Sequence, residues 1–279
     1  MTRHAISRIA AAAAIGAALA LGACAPVQIP FAPVADWRVP VEGQRVEPGD
    51  QLKADIRNPQ GSIRLSVKPE LAHPEVVARA WYPPGTGKAN PSPADFPIKT
   101  QARIETGEDG QKTLIVQVRP TEDPDIRINL LVRTPSLGTA IIRNAYGPVE
   151  LVGAGDAVNV HSGLAERGPS SGGDIRVRTE RAIRGPVKLM TTGGDIFLYA
   201  GGDSAGRLEA LAENGTVRVS SRKRPATEVF AQPHRFRGVV NEGANVFDLE
   251  TARGNITVRF ADGPWELARE FDWSGDKGR

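Results

Sequence analysis

Apolar and polar residues alternate over short runs through most of this chain. Ile63 and Leu65, the segment 76–80, then Leu114, Val116 and Val118, then Ile126, Ile128 and Leu130 all keep a period of two. Such alternation, bounded by Gly and Pro, predicts half-buried β-strands. No window holds a 3.6-residue apolar period of useful length apart from the ambiguous stretch 208–212. An all-β fold is expected, with an N-terminal β region over residues 45–135.

From residue 145 the alternation becomes periodic. Ser170-Ser171-Gly172-Gly173-Asp174-Ile175 is followed 21 residues later by Thr191-Thr192-Gly193-Gly194-Asp195-Ile196, and 21 further by Ala212-Glu213-Asn214-Gly215-Thr216-Val217. A second phase, Gly185-Pro186-Val187-Lys188-Leu189 and Gly206-Arg207-Leu208-Glu209-Ala210, keeps the same interval. Each unit is thus two short strands. One unit has nothing of its own to bury two or three apolar side chains against, so neighbours must stack. The pattern over 136–260 predicts a parallel β-solenoid-like stack of about 21 residues per repeat, with an irregular antiparallel β-sandwich as the alternative. The spacing stretches near 161–171 and 220–244, where loops or side elements are expected to leave the repeating body.

The first 23 residues read differently. Arg3, His4 and Arg8 precede an apolar run at 9–21 that is too short for the roughly twenty residues of a membrane-spanning helix, the layout of a secretory signal. Leu21-Gly22-Ala23-Cys24 resembles the lipobox of bacterial lipoproteins. That resemblance implies cleavage before Cys24, a diacylglyceryl thioether on its sulfur, and two or three acyl chains that give stable anchoring where one is marginal. Ala25 rather than Asp after the cysteine implies export to the outer membrane, facing the periplasm or the surface. Cys24 is the only cysteine, so its acylation leaves no disulfide. Residues 25–44 are punctuated by proline and read, with Cys24, as a tether; residues 261–279 read as a cap or tail.

Charge narrows the partners. Of 35 basic and 32 acidic side chains, removing Arg3 and Arg8 leaves 33 against 32. That near balance gives no concentrated footprint for nucleic acid, and Arg222-Lys223-Arg224 reads as a solvated turn. Gly85-Thr86-Gly87-Lys88 lacks both the first glycine and the Ser or Thr of a nucleotide cradle.

The recurring Thr-x-x-Gly-[Asp/Asn]-Ile-x-Val idea, with Thr191-Thr192-Gly193-Gly194-Asp195-Ile196 and Thr251-Ala252-Arg253-Gly254-Asn255-Ile256 as its best copies, resembles the "putative-adhesin" family of bacterial envelope repeat proteins. The resemblance implies a solenoid-like β fold and an envelope location, and carries no catalytic residues with it.

Candidate chemistry is thin. Gly202-Asp203-Ser204-Ala205-Gly206 matches a nucleophile-elbow pattern, yet Gly206 already belongs to the repeat and the βα alternation of a hydrolase sheet is missing. Asp174 and Asp195 take matching places 21 residues apart; stacked carboxylates could contact a cation, or else cap turns through backbone bonds, which the Thr216 and Asn255 counterparts favour. His73, His161 and His234 show no ligand spacing, and no metal or cofactor is expected. Trp265, Phe271 and Trp273 near the C-terminus are expected either to cap the stack or to dock a glycan or protein. The expectation is a non-catalytic, membrane-anchored envelope module that binds an envelope protein or polysaccharide, with a carbohydrate-active β-solenoid enzyme as the alternative.

Overall fold

A computed structural model describes residues 36–83, 85–88, 100–119, 122–163, 171–222 and 225–263. Cys24, the signal segment, Trp265, Phe271 and Trp273 lie outside the described residues. Among the described residues twenty strands follow one another: β1 (Asp36–Val39), β2 (Val41–Gly43), β3 (Lys53–Asn58), β4 (Ile63–Val67), β5 (Glu75–Trp81), β6 (Thr100–Thr106), β7 (Lys112–Val118), β8 (Arg127–Thr134), β9 (Thr139–Asn144) and β10 (Val149–Val152). The rest are β11 (Val158–Ser162), β12 (Ile175–Arg178), β13 (Val187–Thr191), β14 (Ile196–Ala200), β15 (Gly206–Ala212), β16 (Val217–Ser221), β17 (Thr227–Gln232), β18 (Arg235–Val240), β19 (Asn245–Thr251) and β20 (Ile256–Phe260). The stretch 208–212 is strand, because Leu208, Ala210 and Ala212 alternate into the core.

The fold is all-β, and its two sheets mix parallel and antiparallel pairing. Nine strands run in the order β1-β5-β8-β4-β10-β12-β14-β20-β16, and eleven in the order β17-β18-β15-β19-β13-β11-β9-β3-β7-β6-β2. In the middle, each chain unit gives one strand to each sheet, and equivalent residues pair in parallel register: Val149 with Ile175, Ile175 with Ile196, Ile196 with Ile256. At the ends β5, β6 and β18 pair antiparallel. The inward residues of both sheets form a single buried cluster.

Spatial order departs from sequence order at two places. The 21-residue interval places Val217 beside Ile196, but Ile256 pairs with both and lies between them. The chain makes β15 and β16, leaves through the antiparallel hairpin of β17 and β18, and returns to insert β19 and β20 one step further in. The inserted unit carries Phe247 and Phe260, both fully buried and edge-to-face at 5.6 Å. Large aromatic side chains gain most from neighbours on both sides, whereas β16, with Val217 and Val219 only half-buried, tolerates the end position. The hairpin occupies the interval 220–244 from which a side element was expected. At the other end β3 and β4 likewise lie between β7 and β8 and the later β9 and β10.

A second correction concerns residues 24–44. The stretch expected as a tether already contains β1 and β2, which occupy the outer edges of the two sheets. Trp37, Val39 and Val41 pack against the core, and Asp36 pairs with Arg79 at 2.7 Å. Proline between them, at position 40, is compatible with edge strands.

The repeating motif has a direct physical reading at the corner between the sheets. The Thr191 hydroxyl donates to the Gly173 carbonyl (2.9 Å) and the Thr251 hydroxyl to the Gly194 carbonyl (2.8 Å), each reaching the turn of the preceding rung. Asn144, Ser162, Thr191 and Thr251 are all buried here, where an unpaired polar group would cost about 1–3 kcal/mol. Gly254, at φ +141°, brings its backbone so close to the Gly194 carbonyl that a side chain there would collide with it.

Candidate functional site

The inward positions of both sheets are dictated by packing, so chemistry must be sought on the outward ones. Across the nine-stranded sheet, strand register aligns one outward row through Arg64, Glu150, Arg176, Phe197, Thr257 and Arg218. A second row runs through Arg133, Ser66, Val152, Arg178, Tyr199 and Arg259. These rows hold six arginines and two carboxylates: Glu150, and Glu75 of β5, which is registered with Arg133 and pairs with it at 3.3 Å.

Two aromatic rings order part of this charge. The Arg176 guanidinium sits 5.3 Å from the centre of the Phe197 ring, and that of Arg259 5.7 Å from Tyr199. Such stacking restrains a guanidinium plane while leaving its N–H edge directed elsewhere. Glu150 takes an ion pair from Arg64 at 3.2 Å and a longer one from Arg178 at 3.9 Å. Arg178 is mostly buried, with 11% of its side chain exposed, against 60% for Arg64.

Two open depressions lie on this face. One, of about 490 Å³, is lined by Phe197, Tyr199, Arg218, Thr257 and Arg259 with the turn residues Asp195 and Asn255. The other, of about 510 Å³, is lined by Arg64, Ser66, Lys68, Arg133, Glu150 and Arg178. Open, cation-rich depressions suit an extended anionic ligand better than a small molecule that must be enclosed.

The outward face of the eleven-stranded sheet is built otherwise. Asp55, Asn159, Lys188, Asp248 and Glu209 share one row, and Arg57, Arg143, His161 and Glu250 the next. Here cations and carboxylates pair off: Arg57 and Arg143 with Asp55, Lys188 with Asp248, Arg237 with Glu209.

The residues singled out by sequence fall into structural roles. Asp174 accepts the Asp195 backbone N–H at 3.0 Å, Asp195 accepts that of Asn255 at 2.7 Å, and the Asn255 side chain accepts that of Thr216 at 3.1 Å. This ladder of turn caps runs in the spatial order of the rungs, and Arg176 also donates to Asp174 at 3.0 Å. Ser204 of the elbow-like sequence is fully buried, and its hydroxyl accepts the Ile183 N–H at 3.0 Å. His73, His161 and His234 are exposed and sit on separate elements: the loop before β5, strand β11, and the turn between β17 and β18. Among the described residues no three His, Cys, Asp or Glu gather as metal ligands. No helix among them is long and apolar enough to cross a membrane.

One further charged cluster closes on itself. Lys88 donates to Asp123 (2.8 Å) and Asp125 (3.1 Å), and the Tyr82 hydroxyl donates to Asp123 at 2.9 Å. The Lys88 ammonium, then the Asp125 N–H, hold the Asp123 carboxyl below its ordinary 3.8; the same carboxylate raises Lys88, while burial first and Asp123 second raise Tyr82. These groups satisfy one another and secure a loop.

The arginine rows escaped sequence reasoning because their members are scattered through the chain from residue 64 to 259. The signal lay in the polar partner of each alternation: Arg176, Arg218 and Arg259 follow directly on an inward Ile or Val.

No protein-family model matches the sequence, and no curated protein does. Two solved structures are similar at 11% identity. One, a "putative cell adhesion protein" from Clostridium sporogenes ATCC 15579, covers 81% of this chain and 99% of its own with a TM-score of 0.45. The other, a "putative adhesin" from Bacteroides fragilis NCTC 9343, covers 81% and 96% with a TM-score of 0.25. Neither likeness bears on what this chain binds.

Proposed function

We propose that this protein is a lipid-anchored module of the bacterial envelope that binds or scaffolds other envelope components and performs no catalysis. In this reading the signal segment is removed before Cys24, acyl chains on that residue hold the protein to the outer membrane, and a solenoid-like body projects a rigid face. β16 is the last strand of its sheet among the described residues. The observation that carries the binding role is the excess of cations along the outward rows of the nine-stranded sheet: six arginines against Glu150 and Glu75. A fold needs no such imbalance, and it raises the local concentration of anions. The candidates for general acid-base work point the other way, since Asp174 and Asp195 are engaged as turn caps and Ser204 is buried.

The test combines anchoring with binding in a Gram-negative host. Wild-type protein should incorporate labelled palmitate, fractionate with the outer membrane and retain envelope material on pull-down that R218A/R259A loses. C24S should lose label and membrane association while keeping the pull-down of added envelope extract. Unchanged fractionation of C24S overturns the anchor, and equal retention by R218A/R259A overturns the binding face.

A further inference from the structure

We infer that the outward face of the nine-stranded sheet takes one class of ligand, an acidic polysaccharide lying across the strands. This rests on the binding role proposed above and names its partner.

The first argument is the spacing of charge. Strands lie about 4.8 Å apart, so the seven parallel-stacked strands from β8 to β16 extend about 29 Å. Counted from β8, arginines stand on the first, second, fourth, sixth and seventh of these strands. The gaps close at two strands, about 10 Å, which is the advance of two rings in an extended pyranose chain. A polymer carrying a carboxylate or sulfate on alternate rings therefore meets a guanidinium at each repeat. A compact anion would use one or two of these positions and leave Arg64, Arg133 and Arg176 to their ion pairs with Glu150, Glu75 and Asp174.

The second argument is the chemistry of the contacts. Guanidinium presents paired N–H donors that match a carboxylate or sulfate in two-point geometry. Arg176 and Arg259 are already restrained by Phe197 and Tyr199, so part of the ordering cost of binding is met in advance. Between the cations, Thr257 and Ser220 face the same side, offering hydroxyls suited to those of a sugar. On the outward face of the other sheet Arg57, Arg143, Lys188 and Arg237 are engaged by Asp55, Asp248 and Glu209.

The experiment is a titration of the full-length chain, held in detergent, with polygalacturonate, uncharged dextran, phosphatidylglycerol vesicles and polyglutamate. Polygalacturonate should bind about tenfold or more tighter than dextran, as expected when several charge-assisted contacts are gained. Its affinity should fall with salt. R218A/R259A should weaken it by roughly tenfold, and R64A/R133A by a similar factor. R218K/R259K should recover part of the loss, since it keeps charge without the fork, while K188A/R143A on the opposite face should change nothing. Circular dichroism on each variant separates lost binding from lost fold. Equal binding of dextran, insensitivity to both arginine pairs, or stronger binding to vesicles or polyglutamate than to polygalacturonate overturns the inference. If polygalacturonate fails while envelope pull-down still depends on Arg218 and Arg259, this ligand assignment falls and the wider binding role stands.

Discussion

The two outward faces of this protein share a scaffold and differ in what is written on it. Both sheets point Ile, Leu and Val inward at alternate positions, and both stack equivalent residues in parallel register. On the eleven-stranded sheet the outward residues neutralise one another locally, as in the Lys188–Asp248 and Arg57–Asp55 pairs. Exposed pairs of this kind add little to stability, about 0–1 kcal/mol, but they offset part of the charge on this face. On the nine-stranded sheet the outward cations outnumber the carboxylates that meet them, which are Glu150, Glu75 and the turn residue Asp174. Because packing constrains neither outward face, the surplus on one is a feature that folding does not explain.

The strongest way to break the comparison is to remove the scaffold from both faces at once. Replacing Gly254 by Val puts a branched side chain against the Gly194 carbonyl at a φ that favours glycine. A loss of about 3 kcal/mol or more is expected, read as a lower denaturant midpoint with ligand binding lost in parallel. A wild-type midpoint would show that the rungs do not approach as described.

A smaller effect comes from the corner ladder. Thr191→Val and Thr251→Val each take the hydroxyl donor from a part-buried glycine carbonyl, an expected cost of about 1–3 kcal/mol. Ala212→Val, at the corresponding corner of the end unit, should cost less because no such bond exists there to lose. Chemical denaturation of the three variants side by side checks the ranking, and equal losses contradict it.

How much of this was legible in the sequence follows from where the information sits. The inward alternation marked Ile63, Leu65, Val116 and Ile128 as core, and all four are buried. The interval of 21 suggested that Ile175, Ile196 and Val217 were successive rungs, yet Ile256 intervenes. A finer clue was available: Thr191 and Thr251 both supply the corner hydroxyl, while position 212 is Ala, so the unit beginning there cannot complete a ladder and suits an end. Insertion of a later unit between earlier ones depends on contacts made across long chain separations, which no local repeat reports. The arginine face was invisible for the same reason, since its members converge only once the rungs are ordered.

The smallest effect sharpens the comparison by separating stability from binding as pH changes. Asp123, Asp36 and Asp50 all have carboxyls held below their ordinary 3.8, first by hydrogen bonds from Lys88, Arg79 and Lys112 respectively. A depressed folded value means that their contribution is present above the unfolded value and is lost as pH falls through the folded one. D123N should therefore be slightly less stable than wild type at neutral pH and equal to it in strong acid, checked by thermal melts across that range. A gap that widens on acidification would reverse the sign. Guanidinium groups stay charged throughout, so binding on the arginine face should not track this stability change until the ligand itself is protonated.

The central claim is that one face binds and the other does not, and arginine-selective labelling with and without polygalacturonate compares them in a single sample. Mass spectrometry of phenylglyoxal-treated protein should show Arg64, Arg133, Arg218 and Arg259 protected by the polymer, with Arg57, Arg143 and Arg207 labelled to the same extent in both conditions. Protection shared equally by the two sets, or confined to the second, would contradict the account.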